Sequence, residues 1–326
     1  MGEATSGRNK IFTGIVCTLL LLPTLDLFTQ AARADVGRND ELRMESADDP
    51  IPFQLRAGFL IVVDVKVGSL SGLKFILDTG TTHSVLDTKT DDKLSLRRQD
   101  ATVLNFDRQL KIGWSVVPEF EIGSLHIHNL RMMVASLRDA SEFADGVDGI
   151  VGLDVLRLYK SVRINFDDQL LNLARGQASD DAELSRTPAF AVHLNAQGQQ
   201  LCLILDTGLR DIVLFRDRIQ DNAPRLKLSK KAPRAREGRF AGDFALLGGI
   251  RVGSRESYAH AFVIRKAPKS LPADIDGFLG VRALNSSLVE LNFEVRTLRL
   301  TGTETTTLAM NEATTLSDAK AADRTQ

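Results

Sequence analysis

The stretch FILDTG at residues 75–80 returns almost unchanged as LILDTG at residues 203–208, and this repeat is the main evidence for the fold. Each copy is followed by a second echo, DGIVG at residues 148–152 and DGFLG at residues 276–280. The interval between the aspartate of Asp-Thr-Gly and the aspartate that begins the echo is the same in both copies. One Asp-Thr-Gly arises easily by chance. Two copies with partners at equal spacing predict an internally duplicated fold that presents a pair of aspartates.

The sequence around these motifs is typical of a mostly β protein. Short apolar runs rich in Val, Ile, Leu and Phe are separated by Gly and Asp, and long amphipathic helices are scarce. A short helix is expected after each echo, and each half is expected to close with a strand that ends in Asn-Phe. These expected helix starts and closing strands lie at residues 153–156, 281–284, 162–166 and 288–293.

Taken together, the motifs resemble those of the aspartic proteases of the pepsin and retropepsin type, over residues 55–300. The resemblance implies two homologous acid-protease-type β-barrel lobes, related by pseudo-two-fold symmetry, with the active site in the cleft between them. Because each lobe is short, the lobes look more like compact retropepsin-like units. The expected organisation is a signal peptide at 1–34, a polar lead-in at 35–52, an N-terminal lobe at 53–175, a linker at 176–188, a C-terminal lobe at 189–301 and a disordered tail at 302–326.

The chemistry would rest on Asp78 and Asp206, one from each lobe. Two carboxyl groups about 3 Å apart cannot easily both ionise, so they share a proton. One then acts as general base on a water molecule, while the other acts as general acid toward the substrate carbonyl. This mechanism requires no cofactor, metal or covalent intermediate. The sequence therefore predicts a monomeric aspartic endopeptidase that cleaves a peptide or protein substrate bound extended in the inter-lobe cleft.

The neighbouring motif residues support the two carboxyl groups. Gly80 and Gly208 have no Cβ atom, so the two loops can approach closely and direct their N–H groups at the carboxylates. The resemblance assigns the remaining support, a hydroxyl interlock beneath the pair and packing of the loops from below, to Thr79, Thr207, Gly152 and Gly280.

The two copies differ in the residue that follows the glycine. Thr81 supplies a hydroxyl in the first copy, whereas Leu209 cannot donate a hydrogen bond to Asp206 in the second. Losing a donor raises the pKa of a carboxyl group, so the dyad is expected to work at milder pH than a stomach-type enzyme. Arg210 could pair with Asp211, meet substrate, or indicate a site that has lost catalysis. The alternative function is therefore a catalytically inactive aspartic-protease fold that binds peptides or proteins.

The N-terminus is typical of a secretory signal peptide. A basic start is followed by an apolar run at residues 11–25 and by Ala-Arg-Ala at residues 32–34, which predicts cleavage after Ala34. The mature protein is then secreted or periplasmic and not inserted in a membrane, whereas an uncleaved segment would anchor it there. A formal net charge of −1 gives no general attraction to nucleic acid.

For four other features, the sequence either leaves more than one interpretation open or argues against a functional site. A flap over the cleft is expected near residues 113–114, where Trp114 could equally pack inside the lobe. His126 and His128 lie on one face of a strand without further ligands, which favours a solvent-facing pair over a metal site. Cys202 precedes the second motif as a small buried residue. The basic stretch at residues 225–239 is a solvated loop, an anionic-partner patch or a site of proteolytic nicking.

Overall fold

The computed structural model describes residues 22–23, 50–105, 108–140, 145–175, 189–222, 235–237, 240–252, 255–302 and 305–313. Several predicted segments lie outside these ranges: the rest of the signal peptide, the lead-in up to residue 49, the whole linker at 176–188 and most of the basic stretch. Residues 50–175 are called the N-terminal half below, and residues 189–313 the C-terminal half.

Strands dominate the described part of the chain, which confirms the mostly β fold predicted from the sequence. The helices are short: α1 (Thr88–Leu94), α2 (Leu137–Ala140), α3 (Leu153–Leu156) and α4 (Arg216–Asn222). The strands are β1 (Leu22–Pro23), β2 (Ile51–Arg56), β3 (Leu60–Val67), β4 (Leu70–Leu77), β5 (Val85–Asp87), β6 (Gln99–Asn105), β7 (Arg108–Ile122), β8 (Leu125–Ala135), β9 (Gly149–Val151), β10 (Tyr159–Asn165), β11 (Leu170–Arg175), β12 (Ala189–Ala196), β13 (Gln199–Asp206), β14 (Ile212–Phe215), β15 (Ala235–Glu237), β16 (Phe240–Val252), β17 (Arg255–Ile264), β18 (Gly277–Gly280), β19 (Leu288–Asn292), β20 (Thr297–Thr301) and β21 (Thr305–Ala313). Within these ranges, no helix combines the length and apolar character that crossing a membrane requires.

The strands that carry the motifs pair in the same way in both halves. β4 lies parallel to β9, with Phe75 opposite Gly149. β13 lies parallel to β18, with Leu203 opposite Gly277, so the strand register repeats together with the motifs. β5 and β14 then add antiparallel to β9 and β18. The echoes DGIVG and DGFLG therefore lie beside the strands that end in Asp-Thr-Gly.

The motif strands form because they are apolar on both faces. All residues of β9, β14 and β18 are buried, and so is the end of β4 from Phe75 to Leu77. A strand buried on both faces is a continuous apolar run without the alternation of a half-exposed strand. Ile76 packs in a cluster confined to the N-terminal half, and Ile204 packs in one confined to the C-terminal half. The motif loops thus begin from the most buried strands of each half.

A further sheet is built from both halves, in the strand order β2–β11–β10–β19–β20–β21. The halves join where β10 and β19 run antiparallel, and Arg163 lies opposite Glu290 at the middle of this pairing. A large hydrophobic cluster continues across the join, with Val162 and Ile164 from one half and Val289 and Leu291 from the other. The halves are therefore held together by strand pairing as well as by side-chain packing.

The prediction of a disordered tail from residue 302 is wrong for residues 305–313. These residues form β21, which pairs with β20 and with β12. The Thr-rich sequence suggested disorder, but Thr is β-branched and favours strands. Leu308 and Met310 alternate along the strand and pack on the core, and Met310 is buried. At the other end, β2 begins at Ile51, slightly before the predicted start of the lobe.

The two expected helix starts have different outcomes. Residues 153–156 form α3, as predicted. Residues 281–284 form only a turn, in which the N–H of Asn285 donates to the carbonyl of Arg282 at 3.1 Å. Asn285 has a φ of 51°, a left-handed conformation that stops helix extension and that Asn tolerates.

Candidate active site

The two motif aspartates stand where the central strands of the two halves end. Asp206 is the last residue of β13, opposite Gly280 in β18. Asp78 follows β4 directly, and its N–H donates to the carbonyl of Val151 in β9 at 3.0 Å. Each carboxyl group is thus placed by a buried strand and by the echo strand that lies parallel to it.

The structure brings the two aspartates together, and each glycine lies against the aspartate of the other half. Asp78 and Asp206 are both 0% exposed. A Cβ atom added to Gly80 would lie 2.6 Å from Cγ of Asp206, and one added to Gly208 would lie 2.9 Å from Oδ2 of Asp78. Each glycine N–H also donates to Oδ1 of the aspartate in its own loop at 2.8 Å. Only residues without a side chain fit between the loops at this separation.

Thr79 and Thr207 link the two loops by four hydrogen bonds in a reciprocal pattern. The hydroxyl of Thr79 donates to the carbonyl of Leu205 at 3.0 Å and accepts from the N–H of Thr207 at 3.1 Å. The hydroxyl of Thr207 donates to the carbonyl of Leu77 at 2.8 Å and accepts from the N–H of Thr79 at 3.0 Å. Every one of these bonds crosses between the halves and is buried, so the link fixes one loop against the other.

Burial raises the pKa of the Asp78 carboxyl group above its usual value. Hydrogen bonds from Gly80, Asp206, Thr81 and Gly208 act against this rise. The Thr81 hydroxyl donates to Oδ2 of Asp78 at 3.3 Å. The net effect is that Asp78 keeps its proton to a higher pH than an exposed aspartate, which is the state that a shared-proton pair needs.

Leu209 occupies the position that corresponds to Thr81, and it is 1% exposed. Its side chain packs with Val213 and Phe278 in the apolar cluster of the C-terminal half. The next residue, Arg210, is exposed, and its charge lowers the pKa of Asp211, which burial raises by a larger amount. Arg210 is therefore close enough to influence Asp211 electrostatically.

Gly152 and Gly280 lie in tight contact with the loops, one in each half. A Cβ atom on Gly152 would lie 2.6 Å from the carbonyl carbon of His83. One on Gly280 would lie 2.5 Å from the carbonyl carbon of Arg210. Both contacts involve backbone atoms shortly beyond the respective loop glycines, so any larger residue would displace the loop.

A polar contact that the repeated motifs do not predict lies beneath the first loop. The N–H of Ser84 donates to both carboxyl oxygens of Asp154 at 2.9 Å, and its hydroxyl donates to Oδ1 at 2.7 Å. Burial raises the pKa of Asp154 to about 6. The signal was available, because Ser84 and Asp154 are separated by the same interval as the motif and its echo. In the second copy these positions hold Ile212 and Arg282, which hid the pair from a search for repeated residues.

The aspartates that begin the echoes have a structural role outside the dyad. Asp148 accepts from the N–H of Lys74 at 2.9 Å, and Asp276 accepts from the N–H of Cys202 at 2.9 Å. Cys202 is partly buried, and burial raises the pKa of its thiol to about 11. A neutral thiol is a poor nucleophile, which agrees with a packing role for Cys202.

Trp114 lies in β7 near the base of a hairpin formed with β6, opposite Gln99. It is 6% exposed and belongs to the buried cluster of the N-terminal half. Its ring meets His83 edge-to-face at a centroid distance of 5.4 Å, and the Arg131 guanidinium lies 4.6 Å from its centroid. Trp114 thus packs inside the half while connecting the hairpin with the first loop, where His83 lies.

The remaining candidates do not form a site. His126 and His128 are both exposed on β8, as expected for a solvent-facing pair. In the ranges that the structure describes, no group of three or more His, Cys, Asp or Glu is placed to hold a metal ion. Of the basic stretch at 225–239, only residues 235–237 are described, and they pair with β16 as a strand hairpin of the C-terminal half.

Comparison with known proteins supports the interpretation of the first half. Residues 63–155 match the model of a family described as aspartyl protease, which confirms the predicted resemblance and supports an aspartic-protease-type function. No curated protein matches the chain. A solved structure of a retropepsin-like aspartic protease from Rickettsia conorii is similar at 22% identity over 38% of this chain and 86% of that one, with a TM-score of 0.27. A TM-score of this size does not establish a shared overall fold.

Proposed function

We propose that this protein is an aspartic endopeptidase in which Asp78 and Asp206 activate a water molecule between them. The observation that carries the proposal is the reciprocal link of Thr79 and Thr207, which holds two buried carboxyl groups together from different halves. Forcing two carboxyl groups together in a buried site costs free energy unless they share a proton. A fold with only a structural task would not need both of them.

The proposed reaction begins with one proton on the pair. The ionised carboxylate takes a proton from the water as its oxygen attacks the scissile carbonyl carbon, and the protonated carboxyl group gives its proton to the carbonyl oxygen. The resulting tetrahedral diol collapses: one diol hydroxyl gives its proton to the ionised carboxylate as the carbonyl forms again, the C–N bond breaks, and the leaving nitrogen takes the proton of the other carboxyl group. The carboxyl group of one product keeps the water oxygen, and the pair returns to its singly protonated state.

The proposal includes the architecture that the resemblance implies. The two halves would be the lobes of a duplicated, pseudo-two-fold fold, with lobe boundaries near residues 53–175 and 189–301 and the active site in the cleft between them. Substrate would bind extended along this cleft and add backbone hydrogen bonds to both lobes. Since both aspartates come from one chain, a monomer would be sufficient for activity. We also propose that the N-terminal segment directs the protein to secretion or the periplasm.

The proposed pH range follows from the environment of the pair. Burial raises the pKa of Asp78, and Leu209 supplies no side-chain donor beside Asp206. Both features favour retention of the shared proton as the pH rises. Activity should therefore extend to milder pH than that of a stomach-type enzyme. A rate profile confined to strongly acidic conditions would contradict this part of the proposal.

The second candidate function is a catalytically inactive fold that binds peptides or proteins. The observation that favours it is that both carboxyl groups are 0% exposed, so that a water molecule and a substrate reach them only if covering groups move. The exposed Arg210 beside the second loop would suit a binding role as well. The two functions differ in whether any peptide bond is broken.

The test is cleavage of a diverse peptide library by the mature protein between about pH 3 and pH 7. Asp78→Asn should abolish cleavage, since it removes one carboxyl group of the pair. Asp87→Asn is the matched control, because Asp87 is a buried aspartate of the same half that accepts from two backbone N–H groups away from the pair. A folded wild-type protein that cleaves nothing in this range would favour the binding function.

A further inference from the structure

We propose that Asp154 is a positioning residue for Asp78, and that it holds the first Asp-Thr-Gly loop in place while its own carboxyl group is ionised. Asp154 is the second residue of α3, two residues after the glycine of the first echo, and is 5% exposed. The proposal rests on the proposed function for its kinetic consequences, but the loop support itself can be measured without any cleavage assay.

The beginning of α3 holds the segment that follows Gly80 by a set of short hydrogen bonds. The N–H of Leu153 donates to the carbonyl of Thr81 at 2.9 Å, and the N–H of Asp154 donates to the carbonyl of Thr82 at 3.2 Å. The N–H of Gly152 donates to the hydroxyl oxygen of Ser84 at 3.0 Å. The carboxyl group of Asp154 completes the set by accepting from Ser84.

The arrangement around Asp154 is that of an ionised carboxylate. Ser84 donates to it through both its N–H and its hydroxyl, and the N–H of Val155 donates to Oδ1 at 2.9 Å. The Ser84 hydroxyl has a single hydrogen, which is directed at Asp154, while its oxygen accepts from Gly152. A protonated carboxyl group would bring a hydrogen into a site already surrounded by donors and would accept more weakly than the carboxylate, so protonation weakens the hold on Ser84.

The connection to the dyad runs through Thr81. Its carbonyl is held by Leu153, and its hydroxyl donates to Oδ2 of Asp78. When Asp154 loses its hold on Ser84, the segment between Gly80 and Ser84 is anchored less firmly. Displacement of a positioning group by about 1 Å is enough to cost on the order of 100-fold in rate.

The C-terminal half shows that the backbone part of this support does not need a carboxylate. The N–H of Val281 donates to the carbonyl of Leu209 at 3.2 Å, just as Leu153 does to Thr81. Arg282 stands at the position of Asp154, and its guanidinium lies 4.4 Å from the ring centroid of Phe166. The side-chain support is therefore present only under the loop of Asp78, and only this loop should respond to its titration.

The pH range follows from the burial of Asp154, which raises the pKa of its carboxyl group from 3.8 to about 6. Between these values the folded protein binds more protons than the unfolded chain, so this group makes the fold less stable as the pH rises. The other ionisable groups on the elements in contact with α3 are His83 and Asp78 on the loop, Arg157 after α3, and Tyr159, Lys160 and Arg163 on β10. The His83 ring faces Thr82 and Trp114, and the Arg157 guanidinium lies over Phe190.

The direct test is an NMR titration of backbone amides in the full mature chain from pH 4.5 to 7.5. The amides of Ser84 and Val155, which donate to the carboxyl group of Asp154, should shift with a midpoint near pH 6. In Asp154→Asn this titration should vanish from Ser84. A titration of the Ser84 amide that survives in Asp154→Asn would belong to another group and would overturn the proposal. So would a Ser84 amide that does not titrate.

The kinetic test compares Asp154→Asn with Asp87→Asn, the buried aspartate that caps α1. The wild-type kcat should fall as Asp154 becomes protonated below about pH 6. Asp154→Asn should lower kcat by about 10- to 100-fold at pH 7 with little change in KM, and should lack this fall. Asp87→Asn should destabilise the fold without changing the shape of the pH profile. If both variants lose only stability and keep the wild-type profile, Asp154 is merely structural and the proposal fails. If the wild type cleaves nothing, the proposed function fails and the amide titration alone decides the loop support.

Discussion

Beneath the first Asp-Thr-Gly loop the structure places Ser84 and Asp154, whereas the corresponding positions of the second copy hold Ile212 and Arg282. Above these positions the loops match closely, down to the 2.8 Å hydrogen bond from each glycine to its own aspartate. The loop residues that touch the other half, Thr79 and Gly80 and their counterparts Thr207 and Gly208, are all matched. Among the residues that differ, Ser84 and Asp154 contact each other within their own half, whereas Arg282 contacts the other half.

Arg282 lies at the join between the two halves. Its guanidinium lies over Phe166 of the other half, and Arg157 of the N-terminal half lies over Phe190 in return, at 4.2 Å. Two cation–π contacts therefore cross between the halves in opposite directions. Where the N-terminal half has a buried carboxylate under its loop, the C-terminal half has an arginine that contacts the other half. The contacts between the two Asp-Thr-Gly loops are therefore symmetric, whereas the residues that support each loop from below differ between the halves.

The largest expected effect concerns the echo glycines. In Gly277→Ala the added Cβ would overlap the carbonyl oxygen of Val213, a backbone atom of a fully buried strand. We expect a loss of at least about 4 kcal/mol in the free energy of unfolding, enough to prevent folding. The same change at Gly149 meets the Phe75 ring, which is also buried, and should be similarly severe.

The control for this comparison is Gly302→Ala, where the nearest atom to the new Cβ would be 3.5 Å away. This variant should unfold at nearly the same denaturant concentration as the wild type. Soluble, cooperatively folding Gly277→Ala protein would show that β14 and β18 do not approach as described.

The next largest effect tests whether Thr79 and Thr207 contribute equally to the stability of the fold. Thr79→Ala and Thr207→Ala each remove a buried hydroxyl that donates to one carbonyl and accepts one N–H across the halves. Each should lower the free energy of unfolding by about 2 kcal/mol, because buried partners are left unsatisfied. Chemical denaturation measures this loss, and Thr79→Ser, which keeps the hydroxyl, should recover most of it. Unequal losses would break the symmetry inferred for the loops.

A smaller effect concerns how the stability of the folded protein depends on pH through Asp78. Since burial raises the pKa of Asp78, the folded protein holds a proton that the unfolded chain releases, and stability falls as the pH rises through this range. Asp78→Asn carries no charge at any pH, so it should become progressively more stable than the wild type from pH 4 to pH 7. Thermal unfolding across this range gives the difference, and a constant difference would contradict the raised pKa.

The smallest effect sharpens the contrast between Thr81 and Leu209. Leu209→Thr would give the second loop the hydroxyl that the first loop has. A donor to the ionised carboxylate lowers its pKa, so the alkaline limb of kcat/KM should move to lower pH by about one unit or less. Thr81→Val should move the same limb in the opposite direction. The pH–rate profiles of the two variants provide the measurement, and shifts in a common direction would refute the assigned roles.

Much of the candidate site could be predicted because its residues recur. Asp-Thr-Gly and the echoes repeat at fixed spacing, and the strand register repeats with them, which is why Asp78 and Asp206 were identified before any geometry was known. The support by Asp154 could not be found in this way, since its counterpart is Arg282. A contact that serves one half leaves no repeated signal, and the pairing of Ser84 with Asp154 depends on the path of the chain.

Composition was a poor guide at the end of the chain. The Thr-rich segment at residues 305–313 contains two large apolar residues, Leu308 and Met310, which are spaced so that both reach the core. Their burial depends on the edge that β12 and β20 offer, which is not visible in the segment itself. The turn at residues 281–284 was likewise decided by the left-handed Asn285 and not by the apolar pattern that favoured a helix.

The central claim is that Asp78 and Asp206 act as one catalytic unit built from both halves. The most direct measurement is kcat/KM of the wild type, Asp78→Asn, Asp206→Asn and the double variant on one cleaved peptide. We predict that each single change lowers kcat/KM by about 10⁴-fold and that the double change lowers it no further, because residues that act as a unit are not additive. A single variant that keeps near-wild-type turnover, or losses that multiply in the double variant, would contradict the account.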